Sequence, residues 1–305
     1  MMSMMKYRTP FLVVALTLMV ASFVAVGVWG LKFGLDFTGG SLLEVAYTPS
    51  PASPTMPAME KLSGALGTVG LGDAKLQQSG NTKLIIRTRT LSIEEHNTAI
   101  TALNTTGQWT EDHFTSVGPT IGSELRQRAL IAIAIAVLAI LSYIAFAFRG
   151  IGRDVPSWKY GVAAIFALVH DIILPTGLFA FLGYQYSIEV DALFITALLT
   201  ILGFSIHDTI VVFDRVRENL TRYPSKTFRD NVDASMRETL ARSINTSLAT
   251  LLVLIAIIAL GGETVRYFAL ALAVGIAFGT YSSICVASPL LVTWHEWSQG
   301  RSSKQ

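Results

Sequence analysis

Residues 191–213 read DALFITALLTILGFSIHDTIVVF, an apolar run that carries His207 and Asp208 side by side and then breaks into the charged DRVRENL. At about 1.5 Å of helix per residue the run is long enough to cross a bilayer. An ionisable residue at such a depth is costly unless it faces protein or a water-filled path, so it marks a candidate functional site by default. Whatever the chain folds into must enclose this pair.

Five further apolar stretches accompany it, at residues 11–30, 129–148, 160–182, 245–260 and 267–294. With 51% hydrophobic and 14% charged residues in 305, the composition is that of a multi-span membrane protein and excludes an ordinary soluble domain. The first stretch is longer than the apolar core of a signal peptide, about 7–15 residues, and lacks an A-x-A-like cleavage site, so it reads as an uncleaved span. The third contains His170-Asp171, with Pro175 one turn later as an expected kink. The lone Cys285 excludes an intramolecular disulfide and a cysteine metal cluster.

Basic residues in short flanking segments orient the spans. Lys6 and Arg8 precede the first; Arg149, Arg153 and Lys159 lie between the second and third; Arg301 and Lys304 end the chain. Residues 214–243 hold seven basic and five acidic groups, and their run DNVDASMRETLARS reads as an amphipathic cytoplasmic segment lying at the membrane surface. Arg126 and Arg128 are the minor exception. Both termini are therefore expected in the cytoplasm. Gly275, Gly279, Ser282 and Ser283 line the sixth span with small side chains that let helices approach closely, which suggests a partner-dependent bundle.

Between the first two spans lies a soluble insertion. Residues 41–47 read as a strand, the Pro- and Ser-rich PSPASPTMP as a flexible arm, and residues 56–66 as a weak helix. Strand candidates follow at 74–78 and 83–90, separated by Ser79-Gly80-Asn81, then a helix to about residue 103 that opens on a Ser92/Glu95 capping box, and a last strand at 109–117. The order β-α-β-β-α-β predicts two helices covering one face of a four-stranded sheet. Eight basic and nine acidic residues between Lys32 and Arg128 make the insertion nearly neutral, which argues against a nucleic-acid surface. The expected fold is an all-α polytopic bundle of six transmembrane helices with one small α+β ferredoxin-like external domain. Its expected parts are a cytoplasmic N-terminus with the first span (1–30), a periplasmic domain (31–127), spans two to six (128–297) and a cytoplasmic tail (298–305).

Counting from the inner boundaries puts Asp208 about 9 Å and Asp171 about 18 Å into the membrane; Arg242 is expected at or just inside the same boundary, where it can share a depth with Asp208. A titratable acid facing a base is a proton switch in principle. The same residues also admit structural roles: Asp208 as a helix-helix ion pair, Asp171 as a partner for backbone freed beside Pro175, Arg242 as a snorkelling side chain, and His170 and His207 as polar helix contacts instead of proton shuttles. FGLDFTGG is not a phosphate loop, since no Lys-Ser/Thr follows and it precedes a strand. Neither a nucleophile triad nor a metal cluster stands at recognisable spacing, so no enzyme, cofactor or metal is expected.

The segments FGLDFTGGSLLEV, VHDIILPTGLF, LGFSIHDTIVVFDRVRENL, ETLARSINTSLATLLVL and GTYSSICVASPLL occur in an order that resembles the SecF family of bacterial protein export across essentially the whole chain. The family's fourth-span motif, Gly-Tyr-Ser-x-Asn-Asp-[Ser/Thr]-Ile-Val-Val, is matched by Gly203 to Val212, with His207 where Asn is usual. The resemblance implies one half of a twelve-span transporter of the resistance-nodulation-division type, completed by SecD in the inner membrane. Beside the SecYEG channel, and with YajC, such a complex uses a proton or sodium gradient to drive late steps of preprotein translocation. It further implies Asp208 as ion-coupling acid, Arg242 as its basic partner, Asp171 as a secondary acid, His207 and His170 as tuning residues, and Asp36, Gly39 and Gly40 as a family motif. The alternatives are an independent small-molecule exporter of the same superfamily, for which one membrane half is too little, and a non-conducting assembly factor of the Sec machinery.

Overall fold

The computed structural model describes residues 3–49, 55–147 and 156–302. It divides into two compact units, Phe33–Leu130 and a helical unit of Met1–Lys32 with Ile131–Gln305. The residues 50–54 of the Pro/Ser-rich arm, the loop with Arg149 and Arg153, and Lys304 lie outside the described residues.

After a 3-10 turn at Met4–Tyr7, helix α1 (Arg8–Trp29) leads to the smaller unit. This opens with a four-residue helix, α2 (Leu35–Thr38), absent from the expectations above, and continues through β1 (Gly40–Tyr47), α3 (Met59–Gly67), β2 (Lys75–Ser79), β3 (Lys83–Thr88), α4 (Ile93–Asn104) and β4 (Trp109–Val117). The strands pair antiparallel throughout in the order β2-β3-β1-β4, with Leu43 opposite both Ile86 and Phe114. That is the split βαβ arrangement the alternation of strands and helices predicts. One face of the sheet supplies Leu43, Val45, Tyr47, Leu84, Ile86 and Trp109 to a core that α3 and α4 close with Leu62, Leu66 and Leu103. Helix α4 begins where the sequence places it: Ser92 Oγ accepts from Glu95 N at 3.2 Å and Glu95 Oε2 accepts from Ser92 N at 2.9 Å.

The second span begins ten residues earlier than hydropathy suggests, because α5 (Pro119–Ala147) starts directly after β4 with a proline at its first position, where no backbone N–H is needed. It is followed by α6 (Ser157–Tyr186), α7 (Ala192–Arg222), α8 (Phe228–Leu260), α9 (Glu263–Ser282), a π-helical turn (Ser283–Ala287) and α10 (Ser288–Ser302). Six helical segments among the described residues have the length and composition to cross a membrane. Helix α6 runs unbroken across Pro175. The surface-lying segment is a correction: residues 228–243 form the first half of the 33-residue α8 and run in line with the fifth span. The amphipathic pattern arises because Phe228, Val232 and Met236 pack into the bundle core beside Phe213 and Val216 of α7.

Half of the most apolar stretch of α6 and of α7 is buried against other helices, against 6% in α5. The centre of the helical unit is therefore α6, α7 and the broken sixth span, with α8 and α1 packed around it. Small residues set these approaches. A Cβ on Gly177 of α6 would lie 2.6 Å from Ser22 Cα of α1, and one on Gly275 of α9 would strike the Ile201 side chain of α7. The small-residue face of the sixth span is thus used within the chain, which removes it as a reason to expect a partner.

Candidate ion-coupling site

Successive helical residues point about 100° apart, so the adjacent His207 and Asp208 part company on α7. Asp208 turns inward and is 5% exposed, while His207 lies on the exposed side. Ser205, one turn before the acid, and Thr209, the residue after it, are buried as well.

Two carboxylates sit among hydroxyls from neighbouring helices. Asp208 Oδ1 accepts from Ser243 Oγ of α8 at 3.1 Å, and its buried Oδ2 has no hydrogen-bond partner among the described residues. Asp171 of α6 is fully buried: Oδ1 lies 2.9 Å from His170 Nδ1, and Oδ2 accepts from Ser282 Oγ at 2.7 Å and from Ser205 Oγ. Thr209 Oγ1 and Ser283 Oγ are 3.0 Å apart, and Ser247 of α8 bonds the Thr280 hydroxyl of α9. Gly279 makes the approach possible, since a Cβ there would stand 3.3 Å from Ser205 Cβ and 3.7 Å from Asp171 Oδ2. The π-turn follows directly. A π-turn inside an α-helix re-aims side chains and recurs at functional sites; here it follows Ser282, bonded to Asp171, and begins at Ser283, which faces Thr209.

Of the residues singled out in the sequence, Asp208, Asp171 and His170 are brought inside one bundle. Arg242 is exposed and makes no ion pair with Asp208. Asp36, Gly39 and Gly40 belong to the smaller unit and shape its backbone: Gly39 and Gly40 have φ of 70° and 117°, and Cβ atoms there would meet Pro119 Cα at 2.9 Å and the Thr88 carbonyl oxygen at 2.8 Å. The hydroxyls of Ser205, Ser243 and Ser282 are the residues that sequence reasoning passed over. Helical spacing from Asp208 points to Ser205, but nothing local marks Ser243 or Ser282. Among the described residues no group of three His, Cys, Asp or Glu side chains could hold a metal ion.

The geometry is that of a membrane bundle with carboxylates buried among hydroxyls, joined to a ferredoxin-like unit. Residues 98–297 match the family described as "Protein export membrane protein SecD/SecF, C-terminal", and residues 24–51, which include Asp36, Gly39 and Gly40, match the "SecD/SecF GG Motif". The chain belongs to the SecD/SecF family. Within it, the chain is 40% identical to the protein translocase subunit SecF of Thermobaculum terrenum over 96% of its length and 94% of that relative. It is 39% identical to the SecF of Vibrio alginolyticus over 94% of its length and 87% of that protein. The crystal structure of SecDF, a translocon-associated membrane protein from Thermus thermophilus, superposes with a TM-score of 0.79 at 34% identity, covering 95% of this chain. A second SecDF structure, in a super-membrane-facing form, gives 0.70 at 32% identity over 99% of this chain. The chain spans 38% and 40% of those two SecDF chains. A SecD/SecF chain of this kind is a SecF-type translocase subunit of the Sec export machinery and a multi-pass membrane protein.

Proposed function

We propose that this SecF-type subunit couples an ion gradient to late steps of preprotein translocation, acting with SecD beside the SecYEG channel, with YajC as a further partner. Asp208 is the ion-coupling acid, Arg242 the outer base that biases it through space, and Asp171 a second acid on the path. Both termini face the cytoplasm, and residues 31–127 form the periplasmic domain between a first part at 1–30 and the spans of 128–297, with 298–305 as the tail. The observation that carries this reading is Asp208 itself: a buried carboxylate on a membrane-length helix, one oxygen held by Ser243 and the other without a hydrogen bond from any described residue. A carboxylate used only as structural glue has both oxygens satisfied, because an unpaired buried acceptor is expensive.

The test is translocation in vesicles containing SecYEG, SecD and this subunit, with and without an imposed gradient. Asp208→Asn keeps the size and hydrogen-bonding capacity of the side chain and removes its titratable proton, so gradient stimulation disappears while the complex still assembles. Full stimulation in those vesicles would leave the subunit as a non-conducting assembly factor.

A further inference from the structure

His170 is wholly buried, and its two ring nitrogens stand in different surroundings. Nδ1 faces Asp171 Oδ1 at 2.9 Å, whereas Nε2 is buried with no hydrogen bond from any described residue. The ring is walled by Phe278 and Tyr281 of α9 at centroid separations of 6.4 and 6.3 Å, and the Tyr281 hydroxyl is itself used on the Phe11 carbonyl oxygen of α1 at 2.9 Å. The other oxygen of Asp171 already receives two hydroxyl donors, from α7 and from α9. Asp171 is thus met by donors on both oxygens, and a metal cation would have to displace hydroxyl or imidazole groups to reach it. A proton needs no such displacement.

From this geometry we infer that His170 and Asp171 form a second, buried proton-binding dyad in which imidazole Nε2 is the atom that takes up the proton, with Ser205 and Ser282 as positioning residues. The inference rests on the gradient-coupling reading above and adds to it a site and an ion. With Asp171 ionised, the short contact to Oδ1 requires hydrogen on Nδ1, which leaves Nε2 as a lone pair. A proton supplied by the gradient forms an N–H bond there, taking the dyad from a charge of minus one to zero. The Nδ1 hydrogen either stays, giving an imidazolium beside a carboxylate, or crosses to Oδ1, giving a neutral imidazole and a carboxylic acid. Release breaks the Nε2–H bond, with the hydrogen returned from Oδ1 to Nδ1 where it had crossed, and restores the starting state. Ser205 lies one helical turn before Asp208, so a change in the donors around Asp171 acts on the same face of α7 that carries the coupling acid. The titratable groups packed on the ring are Asp171 on its own helix and Tyr281 on α9; among the described residues no Lys or Arg pairs with Asp171.

Nitrogen-15 NMR of histidine-labelled subunit in complex with SecD, with a His170→Gln sample to assign the signal, reads the protonation of Nε2 between about pH 5 and pH 9. The expected result is a His170 signal that gains a proton at Nε2 as pH falls and whose titration moves in Asp171→Asn. In the vesicle assay His170→Gln keeps an N–H for Asp171 but removes the titration, and it lowers stimulation by a pH gradient at least tenfold. Ser282→Ala shifts the pH profile of stimulation without abolishing it. An Nε2 that keeps one protonation state across the range, or a His170→Gln subunit with the wild-type pH profile, overturns the dyad. Loss of stimulation in Asp208→Asn alongside either result leaves the coupling reading standing; retained stimulation in Asp208→Asn removes that reading while the NMR titration still decides the dyad.

Discussion

Ser243 Oγ donates to Asp208 Oδ1 at 3.1 Å, whereas Arg242, its neighbour on α8, faces outward and makes no ion pair with that acid. The base that motif reading pairs with Asp208 is therefore not its contact partner, and a hydroxyl holds the carboxylate instead. The two roles separate cleanly by residue because adjacent helical positions diverge by about 100°.

Ser243→Ala removes the hydrogen bond and leaves a buried carboxylate oxygen unpartnered, a change of about 1.5–3 kcal/mol for a bond to a charged group. Gradient-stimulated translocation is expected to fall about tenfold or more in the vesicle assay, and Ser243→Thr to restore most of it. A Ser243→Ala subunit with wild-type stimulation would show that the hydroxyl does not set the acid.

Gly39 and Gly40 hold backbone conformations that side chains rarely adopt, and each faces a backbone atom closer than a Cβ tolerates. Gly39→Ala or Gly40→Ala is expected to destabilise the smaller unit by about 2 kcal/mol or more. Limited proteolysis of the purified complex would show faster cutting within residues 33–130, whereas Gly64→Ala, where no atom lies within 4 Å of the added methyl, resists as well as wild type.

Glu95 closes the capping box of α4 and also pairs with Arg89 at 2.6 Å, and these contacts hold its carboxyl at about 2, below its usual value of 4.5. A depressed carboxyl contributes stability that is present above the unfolded-state value and lost as pH falls through the folded one. The thermal advantage of wild type over Glu95→Gln is therefore full at neutral pH, shrinks below about pH 4.5 and is gone near pH 2. Melting curves at stepped pH measure it, and an advantage independent of pH would refute the linkage.

Asp233 of α8 ties down the start of the chain: Oδ1 accepts from Ser3 Oγ at 3.0 Å and from Met5 N at 2.9 Å, and Oδ2 pairs with Arg237 at 3.0 Å. Met5 is fully buried beside Phe228, Val232 and Met236. Asp233→Ala unpairs a buried backbone N–H at a cost of about 1–3 kcal/mol. Hydrogen exchange at the Met5 amide should accelerate by at least tenfold, with exchange in α4 unchanged.

Much of this was legible in the sequence, for reasons that differ by element. The strands around Leu43, Ile86 and Trp109 announce themselves because alternation in a half-buried sheet is a local pattern. The α4 start is local too, a Ser and a Glu three residues apart. The line of α8 through residues 228–243 was misread, since a helix packed on protein and one lying on a membrane share the same amphipathic period. Asp208 and Asp171 stand out by cost, as charges in apolar runs. Ser205, Ser243 and Ser282 carry no such signal, because a serine in a spanning helix can bond its own backbone and only the assembled bundle says which one turns to a carboxylate. The outward placement of Arg242 is likewise a matter of helix rotation, which no spacing within one segment fixes.

The π-turn at Ser283–Ala287 gives the sixth span a phase slip. The helix on either side is regular, yet the two parts are out of step, so α10 is rotated from the setting that an unbroken α-helix would give it. Such a slip is a dislocation in a lattice: the hydrogen-bonded rod before and behind it stays whole while the side chains on its two sides are offset by a fraction of a turn. Ser282 and Ser283 stand at its leading edge. Its place in the span thus decides which hydroxyls line the interior: Ser282 reaches Asp171 and Ser283 reaches Thr209.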